Sequence, residues 1–289
     1  MNPTLLAQSL VNGLLFGGVY SLMAVGLSLI FGVMRVINFA HGDMMVWVMY
    51  LAFLFNLWIG LDPYVAFPLC AAVLFVAGLA IQRGLVNRIL DAPHEMQILL
   101  MLGVGLVIEN AALVLFGPDT RRVSAALSDK ALWLGPLFLD MPRLLTFGFS
   151  VALSLALWAF LFRSDLGMTI RAADDNPTGA RLVGSNVNRI YTVAFGVGAP
   201  CVGAAGALTA SFLPFAPASG LAFTVASFNI VIIGGMGSLP GAFLGGLLVS
   251  VAESIGAVVL APSLKEVVSF SLMILILLFR PSGLLGRRA

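Results

Sequence analysis

The sequence predicts an all-α membrane protein, a polytopic helical bundle of about eight transmembrane segments that forms one domain over residues 1–289. Three observations carry that expectation. Of the residues, 60% are hydrophobic and 10% charged, with a mean hydropathy of +1.06. An average soluble domain is about a quarter charged, so this chain could not keep a water-facing surface. Seven apolar runs approach the roughly 20 residues that a helix needs to cross a bilayer core. The 31 glycines fit the same solvent, because glycine lets helix backbones approach closely where lipid offers no drive to pair them.

In order, the predicted spans lie near 5–32, 44–60, 64–82, 97–116, 143–162, 190–212 and 266–280. The first is read as a retained helix, since Met1-Asn2-Pro3-Thr4 lacks the basic start of a secretory signal and the run after it is too long for one. Between the sixth and last spans, 222–260 is apolar but interrupted. Residues 222–235 are short for a crossing, and Gly234-Gly-Met-Gly-Ser-Leu-Pro-Gly241 would break any continuous helix. The stretch is expected to form a broken, re-entrant hairpin lining a pathway, or a tight surface loop. Gly237, Gly241 and Gly245 favour close packing in either case. A second helix–break–helix pattern at 33–43 hints at an internal repeat.

Orientation follows from the loop arginines. With the C-terminal tail inside, Arg280, Arg287, Arg288, Arg163, Arg171, Arg181, Arg189, Arg83, Arg88 and Arg35 fall inside. Arg121, Arg122, Lys130, Arg143 and Lys265 fall outside, four of them on or beside the long loop 117–142. A net charge of +2 gives no reason to expect a nucleic-acid partner; the expected surroundings are membrane lipid. Cys70 and Cys201 lie in apolar runs and read as small buried hydrophobes. No phosphate-binding loop, HExxH, CxxC or GxSxG occurs, and His41 and His94 stand in different loops, so no catalytic site is expected.

Polar residues inside or beside apolar spans are the candidates for a translocation route. Asn38, His41 and Asp43 form the densest group. The preferred reading of Asp43 is that it caps a helix starting at Met44, with Gly42 making the turn. Glu109 with Asn110, Asn229 and Glu253 sit deep in spans, where a carboxylate costs at least ~2.5 kcal/mol against lipid. Each carboxylate reads either as facing a polar cavity or a partner subunit, or as a protonated or hydrogen-bonded group between helices. Loop 163–189 is the most informative polar segment: Asn176-Pro177 is a helix start and Gly184 a stop. The two-turn helix between them would be marginal alone, so it is expected to dock on something.

The run Gly26-Leu-Ser-Leu-Ile-Phe-Gly-Val-Met-Arg-Val-Ile-Asn-Phe-Ala-His-Gly-Asp43 resembles the signature of ABC-transporter permeases for branched-chain amino acids, the shorter of the two permease types. Gly167-Met-Thr-Ile-Arg-Ala-Ala with Ala180-Arg-Leu-Val-Gly184, the Gly234–Gly241 run with Gly245, and Arg280-Pro-Ser-Gly-Leu-Leu-Gly286 match in the same order. The resemblance implies a multi-pass protein of the bacterial inner membrane that forms half of a pore with a second homologous permease. Two cytoplasmic subunits would bind ATP, this chain would hold no cofactor, and a periplasmic protein would deliver the substrate. Loop 163–189 would couple to the ATPases through Gly167, Arg171, Pro177, Ala180, Arg181, Leu182 and Gly184. Val46-Trp47-Val48-Met49 departs from the family pattern and leaves urea, short amides or other amino acids open as substrates. A stand-alone carrier or channel driven by ions through Glu109 and Glu253 is the alternative from another class.

Overall fold

A computed structural model describes residues 3–128 and 130–286. The helices are α1 (Pro3–Met34), α2 (His41–Ile59), α3 (Pro63–Gly84), α4 (His94–Phe116), α5 (Met141–Arg163), α6 (Asp165–Asp175), α7 (Pro177–Leu182), α8 (Val187–Thr209), α9 (Gly220–Gly234), α10 (Leu239–Val259) and α11 (Lys265–Phe279). Among the described residues nine helical stretches are long and apolar enough to cross a membrane. The interrupted stretch 222–260 supplies two of them, because the turn at Pro217–Ser219 extends α9 to 18 residues. The expected break is there, between Gly234 and Leu239.

α1 and α8 form the centre, each with 83% of its most apolar window buried, and the other spans wrap around them. α1 runs antiparallel to α10 along its length. Gly13 meets Val251 and Ser254, Gly17 meets Leu247 and Ser250, and Gly246 meets Ser21. Removing side chains at these points brings the backbones close enough for hydroxyls to reach carbonyls on the other helix. Ser21 Oγ donates to Phe243 O at 2.7 Å and Ser254 Oγ to Ser9 O at 2.6 Å. α3 and α8 pack by the same means, with Gly78 on Phe195 and Ala199 and Gly203 on Ala71 and Leu74.

The two ends of the bundle differ in character. One carries a short hairpin, β1 (Ala131–Leu134) and β2 (Leu137–Asp140), which pairs Ala131 with Asp140 and Leu134 with Leu137. Gln8 of α1 holds it by exchanging bonds with the Phe138 backbone at 2.7 and 2.9 Å. Asp62 caps α3 through Tyr64 N and accepts from Ala126 N at 2.7 Å, while Arg121 and Phe215 form an isolated backbone bridge. The opposite end gathers the end of α1, the α6–α7 elbow, the α9–α10 turn and residues 280–286. Leu284 N and Leu285 N donate to the carbonyls of Ile233 and Gly234 at 2.8 and 3.0 Å. Arg35, Asp91 and Arg181 lie within electrostatic range of Tyr191 at the foot of α8. These are segments that the arginine count assigns to one side; Arg287 and Arg288 lie outside the described residues.

Candidate functional site

The deepest interruption of helical backbone is at residues 35–40. α1 ends at Met34, where Arg35 N donates to Phe31 O at 2.7 Å and Arg35 takes a left-handed φ of 56°. The chain then runs back along α1 without helical bonding until His41, whose Nε2 lies 3.1 Å from Met23 O. Met23 precedes the end of α1 by eleven residues, or about 16 Å at the helical rise. α2 therefore begins well inside the bundle. Its first turn lies level with Gly105, the middle residue of α4.

This overturns the capping role expected for Asp43. α2 starts at His41 rather than Met44, its N-cap residue is Ala40, and no side chain caps it. Asp43 instead stands in the first turn, where a carboxylate complements the helix dipole. The turn is made by Asn38, fully buried, whose Oδ1 accepts from Ala40 N at 3.1 Å. Gly42 is inside the helix and serves close approach: its N–H donates to Thr224 Oγ1 at 2.9 Å, and Thr224 donates to Phe39 O at 3.1 Å. Thr224 follows the first turn of α9, and Gly220 at its start lies against Gly42 and Asp43, so two helix N-termini meet at this depth. Asp43, 8% exposed, lies between Gly105 and Gly220; a methyl on Gly105 would stand 2.6 Å from its Oδ2. Glu109 of α4 lies within electrostatic range of it. Since a carbonyl only accepts, Nε2 of His41 carries a proton, and its Nδ1 is buried and without a partner among the described residues.

A second buried polar group ties four helices together. Tyr20 of α1 donates to Glu253 Oε2 of α10 at 3.1 Å, and Asn229 Nδ2 of α9 donates to Ser269 Oγ of α11 at 2.8 Å. Ser269 Oγ in turn donates to Glu266 O at 3.3 Å and lies within electrostatic range of Glu253. All four side chains are buried. The structure thus brings Asn229 and Glu253 together and separates them from Asn38, His41, Asp43 and Glu109. Sequence reasoning passed over Tyr20, Ser269 and Thr224. The available signal was a lone phenol in the 32-residue apolar run of α1. Asn110 joins neither group: it is exposed on α4, with Nδ2 donating to Leu106 O of its own helix at 2.7 Å.

The third feature is the elbow after α5. Ser164 caps α6 through Gly167 N at 3.0 Å, and Gly167 abuts the backbone of Phe160 and Leu161. Arg171 points back at α5, donating from Nε to Leu161 O at 3.0 Å with its guanidinium 4.3 Å from the Phe162 ring. Asn176 caps α7 through Gly179 N at 2.9 Å, Pro177 occupies the first turn, and Gly184 stops the helix at φ 84°. Ala180 is buried, whereas Arg181 is exposed and Leu182 and Val183 are 84% and 82% exposed. Between the elbow, the end of α1, the α9–α10 turn and the tail lies a cavity of about 750 Å³, lined in part by Ser28, Arg35, Arg171, Ser238 and Ser282. No three His, Cys, Asp or Glu side chains gather as metal ligands among the described residues.

A multi-pass helical bundle, interrupted at half depth and carrying a structured elbow at one end, is the architecture of a membrane permease. The comparisons give the family. A family model described as branched-chain amino acid transport system / permease component matches residues 9–277, and the chain belongs to that family. The permease protein BraD of the high-affinity branched-chain amino acid transport system of Pseudomonas aeruginosa is 31% identical, over 97% of this chain and 95% of its own length. LivH of Salmonella typhimurium, named for the same kind of system, is 29% identical over 97% and 95%. A probable LivH from Methanocaldococcus jannaschii is 25% identical over 96% and 91%.

Proposed function

We propose that this chain is a permease subunit of an ATP-driven importer of leucine-, isoleucine- and valine-like amino acids in a bacterial inner membrane. It forms half of the translocation pathway with a second homologous permease. Two cytoplasmic ATP-binding subunits drive it, and a periplasmic binding protein delivers the substrate. The names of the near full-length relatives support the substrate class. The departure at Trp47 gives little reason to change it: the indole N–H donates to Ile108 O at 2.6 Å, so this side chain pins α2 to α4 rather than lining an open route.

The observation that carries the energy-coupled reading is α7. A six-residue helix is too short to persist alone, yet this one is capped, stopped and anchored by Ala180 while presenting Leu182 and Val183 to the outside. An apolar pair held out on a rigid stub fits a cleft on another subunit, and a stand-alone carrier has no use for it. Leu182→Asp with Val183→Asp is expected to abolish uptake and substrate-stimulated ATP hydrolysis in reconstituted vesicles while the permease still inserts. Undiminished ATP-driven uptake by that variant would overturn the coupling role.

A further inference from the structure

The span α4 is 17% buried in its most apolar window, so most of its surface looks away from this chain. Three other peripheral spans look outward too, and the comparison with α3 is instructive. The outward stripe of α3 is Val65, Leu69, Val73 and Val76, all apolar, as a lipid-facing helix requires. The outward stripe of α4 is Val107, Asn110 and Val114, while Glu109 lies on the side turned toward Gly105 and Asp43. Asn110 lies five residues beyond the middle of a 23-residue helix, and at the helical rise that places it about 8 Å from the centre, within the hydrocarbon depth. Its amide makes one bond, to Leu106 O, and its Oδ1 has no partner among the described residues. An exposed amide at this depth is costly against lipid, and water-soluble subunits cannot reach it.

From this contrast we infer that the α4 face carrying Val107, Asn110 and Val114 is the seam against a second permease bundle. This rests on the two-permease pore proposed above and names the surface that forms it. The occupant must be a membrane-embedded helix that offers hydrogen-bond partners level with Asn110. The equivalent helix of a related bundle, set by a two-fold axis, does so, because an amide both donates and accepts and can satisfy its counterpart across the axis.

The test is site-specific photo-crosslinking in the assembled transporter, with a benzophenone side chain placed in turn at Val107, Asn110 and Val114, and at Val73 and Val76 as controls. The expected result is a permease–permease adduct, identified by its peptides, from the α4 positions and lipid adducts alone from α3. Lipid adducts from α4, or permease adducts from α3 in their place, would overturn the seam. The number of permease chains in the purified complex, measured by native mass, separates the two levels. Two chains with no α4 adduct refute the surface and leave the pore reading standing, whereas one chain refutes both. Asn110→Leu supplies an independent arm. At a lipid face it would leave uptake unchanged and stabilise the protein; at the seam it is expected to lower uptake several-fold and loosen the permease pair.

Discussion

Gly42 is the point at which the interrupted α2 touches α9, and adding one methyl there tests the whole arrangement. A Cβ on Gly42 would overlap the Gly220 carbonyl oxygen, stand 2.5 Å from Thr224 N and 2.6 Å from Thr224 Oγ1. Two of these neighbours are backbone atoms, which cannot swing aside as a side-chain tip does. α2 and α9 must therefore separate, and the 2.9 Å bond from Gly42 N to Thr224 lengthens with them. Overpacking costs about 1–3 kcal/mol, against a helix-propensity gain of about 1 kcal/mol for glycine to alanine. Because two of the collisions are with backbone, the cost falls at the upper end of that range, and the net loss is expected to be about 2 kcal/mol. Gly148 on the outward side of α5 is the control, since nothing lies within 4 Å of its Cβ position and only the propensity gain applies. Unfolding of Gly42→Ala and Gly148→Ala in mixed micelles should move their midpoints in opposite directions from the parent. A Gly42→Ala protein as stable as Gly148→Ala would show that the two helix starts do not meet as described.

Two further outcomes follow from the other sites. Tyr20→Phe removes the donor to Glu253 without changing shape; bonds of this kind within membranes average about 0.6 and reach about 1.7 kcal/mol. A double-mutant cycle with Glu253→Met, which removes the acceptor at similar length, should return a coupling in that range, and a value of zero would remove the bond from the account. Gly184 has open space around it but a φ of 84°, so its cost on substitution is purely backbone, about 1–2 kcal/mol for alanine. Substrate-stimulated ATP hydrolysis should fall in the order Gly184, then Gly184→Asn, then Gly184→Val, and an order indifferent to left-handed tolerance would place the defect elsewhere.

The spans were legible because burial in lipid selects residue type all round a helix, so apolar length alone reveals them. The α9–α10 break and the α7 stub were legible for a different reason: Gly, Pro and Asn act locally, through their own backbone and side-chain geometry. The break before α2 was legible too, at 33–43, but its depth in the bundle and the start of α2 at His41 were not. Val36-Ile37-Asn38-Phe39-Ala40 is as apolar as a helix interior, and it runs outside a helix only because His41 and Thr224, one of them far away in sequence, hold it. The β-hairpin escaped notice too, being four residues a strand around Gly135-Pro136. Glu109 and Glu253 look alike in sequence, each a single carboxylate in an apolar run. Packing alone separates them, since Glu253 faces Tyr20 and Ser269 from neighbouring helices while Glu109 stands on a helix that few others touch.

How a push on α7 travels inward depends on which joints are stiff. The elbow has no slack at its first corner, because Gly167 lies against the α5 backbone and Arg171 clamps Leu161 and Phe162. Its second corner is equally tied: Ser185 N returns to Ala180 O at 3.0 Å and Asn186 caps α8 through Arg189 N at 3.1 Å. Load applied to Leu182 and Val183 therefore passes to both α5 and α8, and through α8 to α1 and α3, as displacement of whole helices rather than bending of the loop. Residues 36–40 are the exception, lacking the i to i−4 bonds that stiffen the helices on either side. Helix displacement concentrates strain where backbone bonding is weakest, and that strap leads directly to Asn38, His41 and Asp43. The joint that yields is thus the one beside the buried polar residues at half depth.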